Sequence, residues 1–169
     1  NMKMLHLDYE IDKEHWQNIF WDHLDMGKWH WGCASKRKLW WWQIMIGHNH
    51  PIKKYTAKVE KELNIFGLNN YPRFSYTLPN AKISHHKDKD NMVTININLM
   101  PNKPIIHVDH KPYPYEIIYI HVGELAHGIE PDPNPRLILK FCMRHTWEEV
   151  YERLDRFGLI KEEQCILEN

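Results

Sequence analysis

The chain has 169 residues, a length that suits one domain with a buried core. Its 22 Lys+Arg balance 22 Asp+Glu, so no net field draws it to nucleic acid or an anionic membrane. Three widely spaced cysteines, Cys33, Cys142 and Cys165, make neither a disulfide framework nor a structural zinc site, and fit a reducing compartment.

The first 70 residues read as helical. Trp16, Ile19, Phe20, His23 and Leu24 recur at three- and four-residue spacing, which predicts one apolar helix face. Tyr55, Val59, Leu63 and Phe66 repeat the pattern, with Lys58 and Glu62 paired outside and Gly67 as a stop. Between them the apolar run from Lys38 to Ile46 suits either a short helix or a buried strand. No apolar run approaches the roughly 18 residues of a membrane span. The N-terminus has no signal-peptide pattern, so a cytoplasmic protein is expected.

From Tyr71 the chain breaks into short alternating segments separated by Pro, Asn and Gly. Arg73–Leu78, Val93–Leu99, Pro104–Val108, Glu116–Val122, Glu124–Ile129 and Arg136–Met143 are the predicted strands. Thr94, Asn96 and Asn98 fall on one face of their strand; Ile95, Ile97 and Leu99 fall on the other. Thr146 to Glu149 reads as a capping box opening a last helix with Val150, Leu154 and Phe157 inward. The expected fold is mainly β with flanking helices, a double-stranded β-helix (jelly roll, cupin-like). It forms one domain over 1–169: a mainly helical flank to 70, the β-helix over 71–145 and the C-terminal helix over 146–160.

Thirteen histidines invite a metal, so the pattern must say which. In Ser84-His-His-Lys-Asp-Lys-Asp90, side chains at i and i+2 of a strand share a side, which pairs His86 with Asp88 and turns His85 away. Asp90 shares that side but lies roughly 13 Å beyond His86 on an extended chain. Two histidines and one carboxylate with open positions mark non-haem Fe(II) sites, so a distant third donor is required. His127 in Gly123-Glu-Leu-Ala-His-Gly is the candidate, placed among small residues where a ligand can come close to the backbone. Nine residues on, Arg136 opens a strand that puts Arg136, Ile138 and Lys140 on one face. A guanidinium aimed into a barrel is costly unless it meets a carboxylate.

H-x-D, then about forty residues to His127, then nine to Arg136, resembles the Fe(II)/2-oxoglutarate-dependent oxygenases over about Tyr76 to Phe141. The first motif is similar to that of the AlkB-type demethylases. The later stretch, from Thr94-Ile-Asn-Ile-Asn-Leu through His127 to Arg136-Leu-Ile-Leu, is more similar to the aspartyl/asparaginyl and free-proline hydroxylase branch. The resemblance implies a dioxygenase with His86, Asp88 and His127 on Fe(II) and Arg136 on the distal carboxylate of 2-oxoglutarate. O2 would be the oxidant, with hydroxylation of an amino acid or peptide side chain and release of succinate and CO2. Two positions depart from the pattern. Cys142 stands where the AlkB type has a second arginine, and Asn96-Ile-Asn98 replaces the R-x-H of the hydroxylase branch. Asn96 is the expected second contact to the keto acid, because its amide can donate to a carboxylate.

Alternatives remain: oxidative demethylation of a nucleic-acid base, or a metal-binding cupin without turnover. Lys36-Arg37-Lys38 beside Trp40, Trp41 and Trp42 is the one nucleic-acid hint, and reads first as a solvated run next to packing aromatics. His48 and His50 before Pro51 read as a loop, and His121 as a core or rim residue. His107-Val-Asp109-His110 is a rival H-x-D, but no arginine follows at a matching distance. The partner is thus a small molecule or peptide, and the oligomeric state is left open.

Overall fold

The computed structural model describes residues 3–32 and 35–161, apart from the side chains of residues 30–40. Cys33 and Cys165, and the side chains of Lys36, Arg37, Lys38 and Trp40, lie outside the described residues. Among the described residues, eleven strands form two antiparallel sheets. In chain order the strands are β1 (Met4–His6), β2 (Lys28–Gly32), β3 (Ser35–Met45), β4 (Asn70–Thr77), β5 (Ile83–His86), β6 (Val93–Asn98), β7 (Ile105–Val108), β8 (Lys111–Pro114), β9 (Ile117–Ile120), β10 (His127–Ile129) and β11 (Arg136–Met143). The larger sheet runs β1-β9-β6-β11-β4-β3-β2 and the smaller β5-β10-β7-β8. The result is a double-stranded β-helix with helices α1 (Lys13–Asp22), α2 (Lys53–Glu62) and α3 (Trp147–Arg156).

Strands β6, β9 and β11 of the larger sheet are buried on both faces, and strand alternation sorts their residues between two interiors. Val93, Ile95 and Ile97 of β6, Leu137, Leu139 and Phe141 of β11 and Phe74 of β4 join the core beneath the helices. Their neighbours in sequence face the other sheet. There Ile118, Ile120 and Ile138 meet Ile106 and Val108 in a smaller core. Trp16, Ile19 and Phe20 of α1 and Val150 and Leu154 of α3 close the first core.

Helix ends follow local chemistry. The Asp12 side chain accepts from the His15 amide at 3.1 Å, and the Thr146 hydroxyl accepts from the Glu149 amide at 3.2 Å. The second helix stops short of Gly67: Asn64 takes φ 59°, and its side-chain Nδ2 donates to the Arg153 carbonyl at 2.9 Å. Phe66 therefore lies outside the helix and exposed, with Lys61 over its ring. Glu62, expected to pair with Lys58, instead accepts from the Tyr9 hydroxyl at 3.4 Å.

The N-terminal flank is less helical than its pattern suggests. It contributes β1, β2 and β3, and the ambiguous run around Trp41 is a strand of the larger sheet. The segment Glu124–Ile129 is strand only from His127, because the Glu124 and Leu125 amides donate to the His121 carbonyl in a turn. Phe157 does not point inward; it follows the last helical residue, ahead of Gly158 at φ 66°, and is 52% exposed. No described helix is long and apolar enough to cross a membrane.

Phe74 is fully buried against the rings of Phe20, at 5.4 Å, and Trp16, at 5.9 Å. Phe74→Ala is expected to cost about 3–5 kcal/mol, read as a lowered denaturation midpoint with unchanged slope. Phe157→Ala, at an exposed site, is expected to stay within about 0.5 kcal/mol.

Candidate metal centre

Strands β5 and β10 pair so that His127 stands opposite His86. The two rings come to 4.6 Å between centroids, and Asp88 lies between them. Its Oδ1 is 3.3 Å from His86 Nε2 and 3.1 Å from His127 Nε2. One donor atom from each of the three lies within 4.8 Å of the others. Among the described residues this is the one group of three His, Cys, Asp or Glu side chains with such a geometry.

Each histidine is held by its own strand. His86 Nδ1 donates to the Ser84 carbonyl at 2.7 Å, and His127 Nδ1 donates to the Leu125 carbonyl at 2.7 Å. That keeps the Nδ1 proton in place, so Nε2 of each ring, which faces Asp88, is the atom that gives its lone pair once a metal displaces the proton there. Asp88 arrives differently from the strand alternation expected of it. The strand ends at His86, and Asp88 is set by its amide donating to the Val122 carbonyl at 2.9 Å. Burial raises the Asp88 pKa, but hydrogen bonds from His127 and His86 outweigh it and hold the carboxyl well below the usual range. The same bond to Asp88 raises the His86 pKa against the effect of burial, so a cation entering this site displaces a proton.

Gly128 makes the approach of the two strands possible. A Cβ there would stand 2.6 Å from the Ile83 carbonyl oxygen and 2.8 Å from His85 Cδ2. Small residues beside His127 thus admit the neighbouring strand, where a ligand's approach had been expected.

The other candidates are placed elsewhere. His85 points away from His86: its Nε2 lies 3.2 Å from Glu130 Oε1, and its ring stacks on His110 at 4.3 Å. Asp90 offers its backbone carbonyl to Arg144 at 3.1 Å. His107 lies edge-on to His85, and Asp109 and His110 form the two-residue turn between β7 and β8, with φ of 49° and 65°. His50 accepts from the Ile52 amide ahead of α2, and His121 is buried beside Trp147. Trp42 packs, its indole N–H donating to the Leu24 carbonyl at 3.0 Å.

A cavity of about 240 Å³ between the sheets connects the triad to Arg136 and Asn96. Arg136 is 4% exposed. Its Nη2 makes a long 3.5 Å bond to the Glu130 carbonyl, while Nε and Nη1 are buried without an acceptor. No carboxylate among the described residues forms an ion pair with it, and burial lowers its pKa. Asn96 is equally buried, bonds to the Tyr115 side chain and keeps Oδ1 unpartnered. Asn98 turns to the chain instead, donating to the carbonyls of Met100 and Asn102. Cys142, free and buried, also lines the cavity.

Among the lining residues that the sequence did not single out are Tyr115 and Arg73, while Trp41, read as a packing aromatic, also lines the cavity. Arg73 was recoverable from the alternation of Arg73, Ser75 and Thr77 opposite Phe74 and Tyr76. Tyr115 was not, since it precedes its strand and reaches the cavity from a loop.

No protein-family model matches the sequence, and no curated protein does. Solved structures do share its fold. A Pseudomonas putida prolyl-4-hydroxylase superposes with a TM-score of 0.64 at 13% identity, covering 86% of this chain and 94% of that one. A Trichoplax adhaerens prolyl hydroxylase in complex with a hypoxia inducible factor oxygen degradation domain peptide fragment gives 0.59 at 9% identity, with 90% and 85% covered. A 2OG-Fe(II) oxygenase family oxidoreductase from Burkholderia pseudomallei gives 0.51 at 13%, with 78% and 80% covered. The chain therefore has the double-stranded β-helix fold found in prolyl hydroxylases and other 2OG-Fe(II) oxygenases.

Proposed function

We propose that this protein is an Fe(II)- and 2-oxoglutarate-dependent oxygenase that hydroxylates a C–H bond of an amino acid or peptide side chain. The observation that carries the reading is Arg136, a buried guanidinium with two unpartnered nitrogens, set in the same cavity as His86, Asp88 and His127. A metal-binding barrel without a keto acid has no use for such a group. Burying an unpaired cation is costly, and the planar fork of arginine suits the distal carboxylate of a dicarboxylic acid. The prolyl hydroxylases that share the fold, one of them with a peptide bound, support an amino acid or peptide side chain as substrate.

The donor set fits Fe(II). Two imidazole Nε2 atoms and one carboxylate oxygen converge, with each Nδ1 held by a carbonyl, and the cavity extends beyond them on the side of the large sheet. Bound together, iron and 2-oxoglutarate supply the oxidising chemistry: O2 is consumed, the keto acid leaves as succinate and CO2, and a substrate C–H becomes C–OH. The chain's own residues bind and orient. Arg136 holds the far end of the keto acid, and Asn96 offers its amide to the cosubstrate. Ile106, Ile129 and Ile138 line the same cavity and limit water around both.

Three outcomes are expected. Alanine at His86, Asp88 or His127 abolishes stoichiometric Fe(II) or Zn(II) binding, measured by metal analysis after dialysis, whereas His85→Ala and Asp90→Ala retain it. Gly128→Ala forces β10 from the Ile83 carbonyl and weakens Zn(II) at least about tenfold, as for loss of ligand orientation. Arg136→Ala lowers 2-oxoglutarate affinity by about 2–5 kcal/mol in calorimetry of the metal-loaded protein, with metal content unchanged. Arg136→Lys keeps the charge and loses the fork, so it weakens the keto acid to a lesser degree. If 2-oxoglutarate fails to bind the parent, or binds the Arg136→Ala variant equally well, the protein is a metal-binding cupin instead.

A further inference from the structure

Two cations in the cavity lie outside the residues assigned above to the metal and the keto acid. Arg73 on β4 and Lys140 on β11 are direct cross-strand partners, and both line the cavity. Like charges set opposite each other on neighbouring strands repel. Neither forms an ion pair with a carboxylate among the described residues, and Arg73 Nε is buried without an acceptor. The pair sits at the metal end of the cavity. Lys140 acts electrostatically on His86 and Asp88, and both cations act on Cys142, two residues further along β11. Arg136, four residues back along the same face, marks the opposite end.

Charge bookkeeping sharpens the point. On the reading above, an Fe(II) dication and a 2-oxoglutarate dianion cancel. Asp88 is the one carboxylate of the lining among the described residues, and it offsets one of Arg73, Arg136 and Lys140. The loaded cavity would then keep an excess of two positive charges on Arg73 and Lys140. Among the described residues no acidic side chain of the lining is left to receive an ammonium group.

We propose that Arg73 and Lys140 form a subsite for a carboxylate of the substrate, so that the oxygenase takes an acidic compound whose amine is absent or acylated. This inference rests on the oxygenase reading. A carboxylate bridging the two cations removes their repulsion and supplies the missing acceptor to Arg73 Nε. It also anchors the substrate next to the metal while leaving Arg136 to the keto acid. A free acid and a peptide C-terminus present the same group, so both sources are tested.

The test is calorimetry with Zn(II)-loaded, 2-oxoglutarate-saturated protein and two matched pairs: N-acetyl-L-leucine against its amide, and acetyl-Gly-Gly-Leu against its amide. At least one acid is expected to bind roughly tenfold or more tighter than its amide. Which pair shows the preference identifies a small acid or a chain end as the source. Arg73→Gln and Lys140→Gln are expected to abolish the preference while leaving 2-oxoglutarate affinity within about twofold, and Lys140→Arg to keep it. The inference is overturned if no acid outbinds its amide, or if the preference survives both glutamine variants. It is equally overturned if those variants weaken 2-oxoglutarate, which would assign the pair to the keto acid. Absence of 2-oxoglutarate binding to the parent sinks the oxygenase reading instead. The same acid–amide comparison on the protein with Zn(II) alone then decides the subsite by itself.

Discussion

Everything at the centre of this molecule depends on how closely two short strands can lie. The first, β5, is four residues long and β10 is three, yet their register sets His86 against His127. Gly128 is what lets them meet, because the space where its side chain would be is occupied by the Ile83 carbonyl and the His85 ring. On the outer side of the same strand, His85 is packed against His110 and His107 and bonded to Glu130. The arrangement holds β5 from behind while the triad faces the cavity.

The larger sheet answers a different constraint. Its central strands β6, β9 and β11 are buried on both faces, so neither face there can rely on bulk water for its polar groups. Apolar residues meet the helices without difficulty. The inner face carries Arg73, Ser75, Thr77, Thr94, Asn96, Arg136 and Lys140, and several of their polar atoms lack protein partners. A fold does not retain such groups for stability, since each unsatisfied one costs about 1–3 kcal/mol. Unmet hydrogen bonds and charges gathered on one wall point to ligands that complete them.

Much of this was legible in the residues, for a simple reason. Strand alternation carries the same information before and after folding: Thr94 and Asn96 against Ile95 and Ile97, and Arg136 and Lys140 against Leu137 and Leu139, lie on the sides their order dictates. Spacing likewise picked His86 over His85. Less was readable where tertiary contacts decide. The Trp41 run could be helix or strand, and pairing with β4 made it a strand. Asp88 lies beyond its strand, and its backbone is set by a bond to the Val122 carbonyl rather than by alternation. The end of the second helix was misplaced because Gly67, an obvious stop, is not where the chain turns; Asn64 is. The last helix ends at Arg156, one residue too early to turn Phe157 inward. Of the expected site, the two positions standing for R-x-H separated: Asn96 faces the cavity, while Asn98 ties down a loop.

The two histidine donors and the polar wall come from different sheets. His86 and His127 belong to the smaller sheet, while Arg73, Asn96, Arg136 and Lys140 project from the larger one. Evolution or a protein engineer can therefore treat the two as separable modules. Exchanging Ser75, Thr77 or Thr94 would reshape what the barrel accepts without disturbing the strand pairing that brings the donors together. Diversification of substrate is open along one wall, and nearly closed at Gly128 on the other.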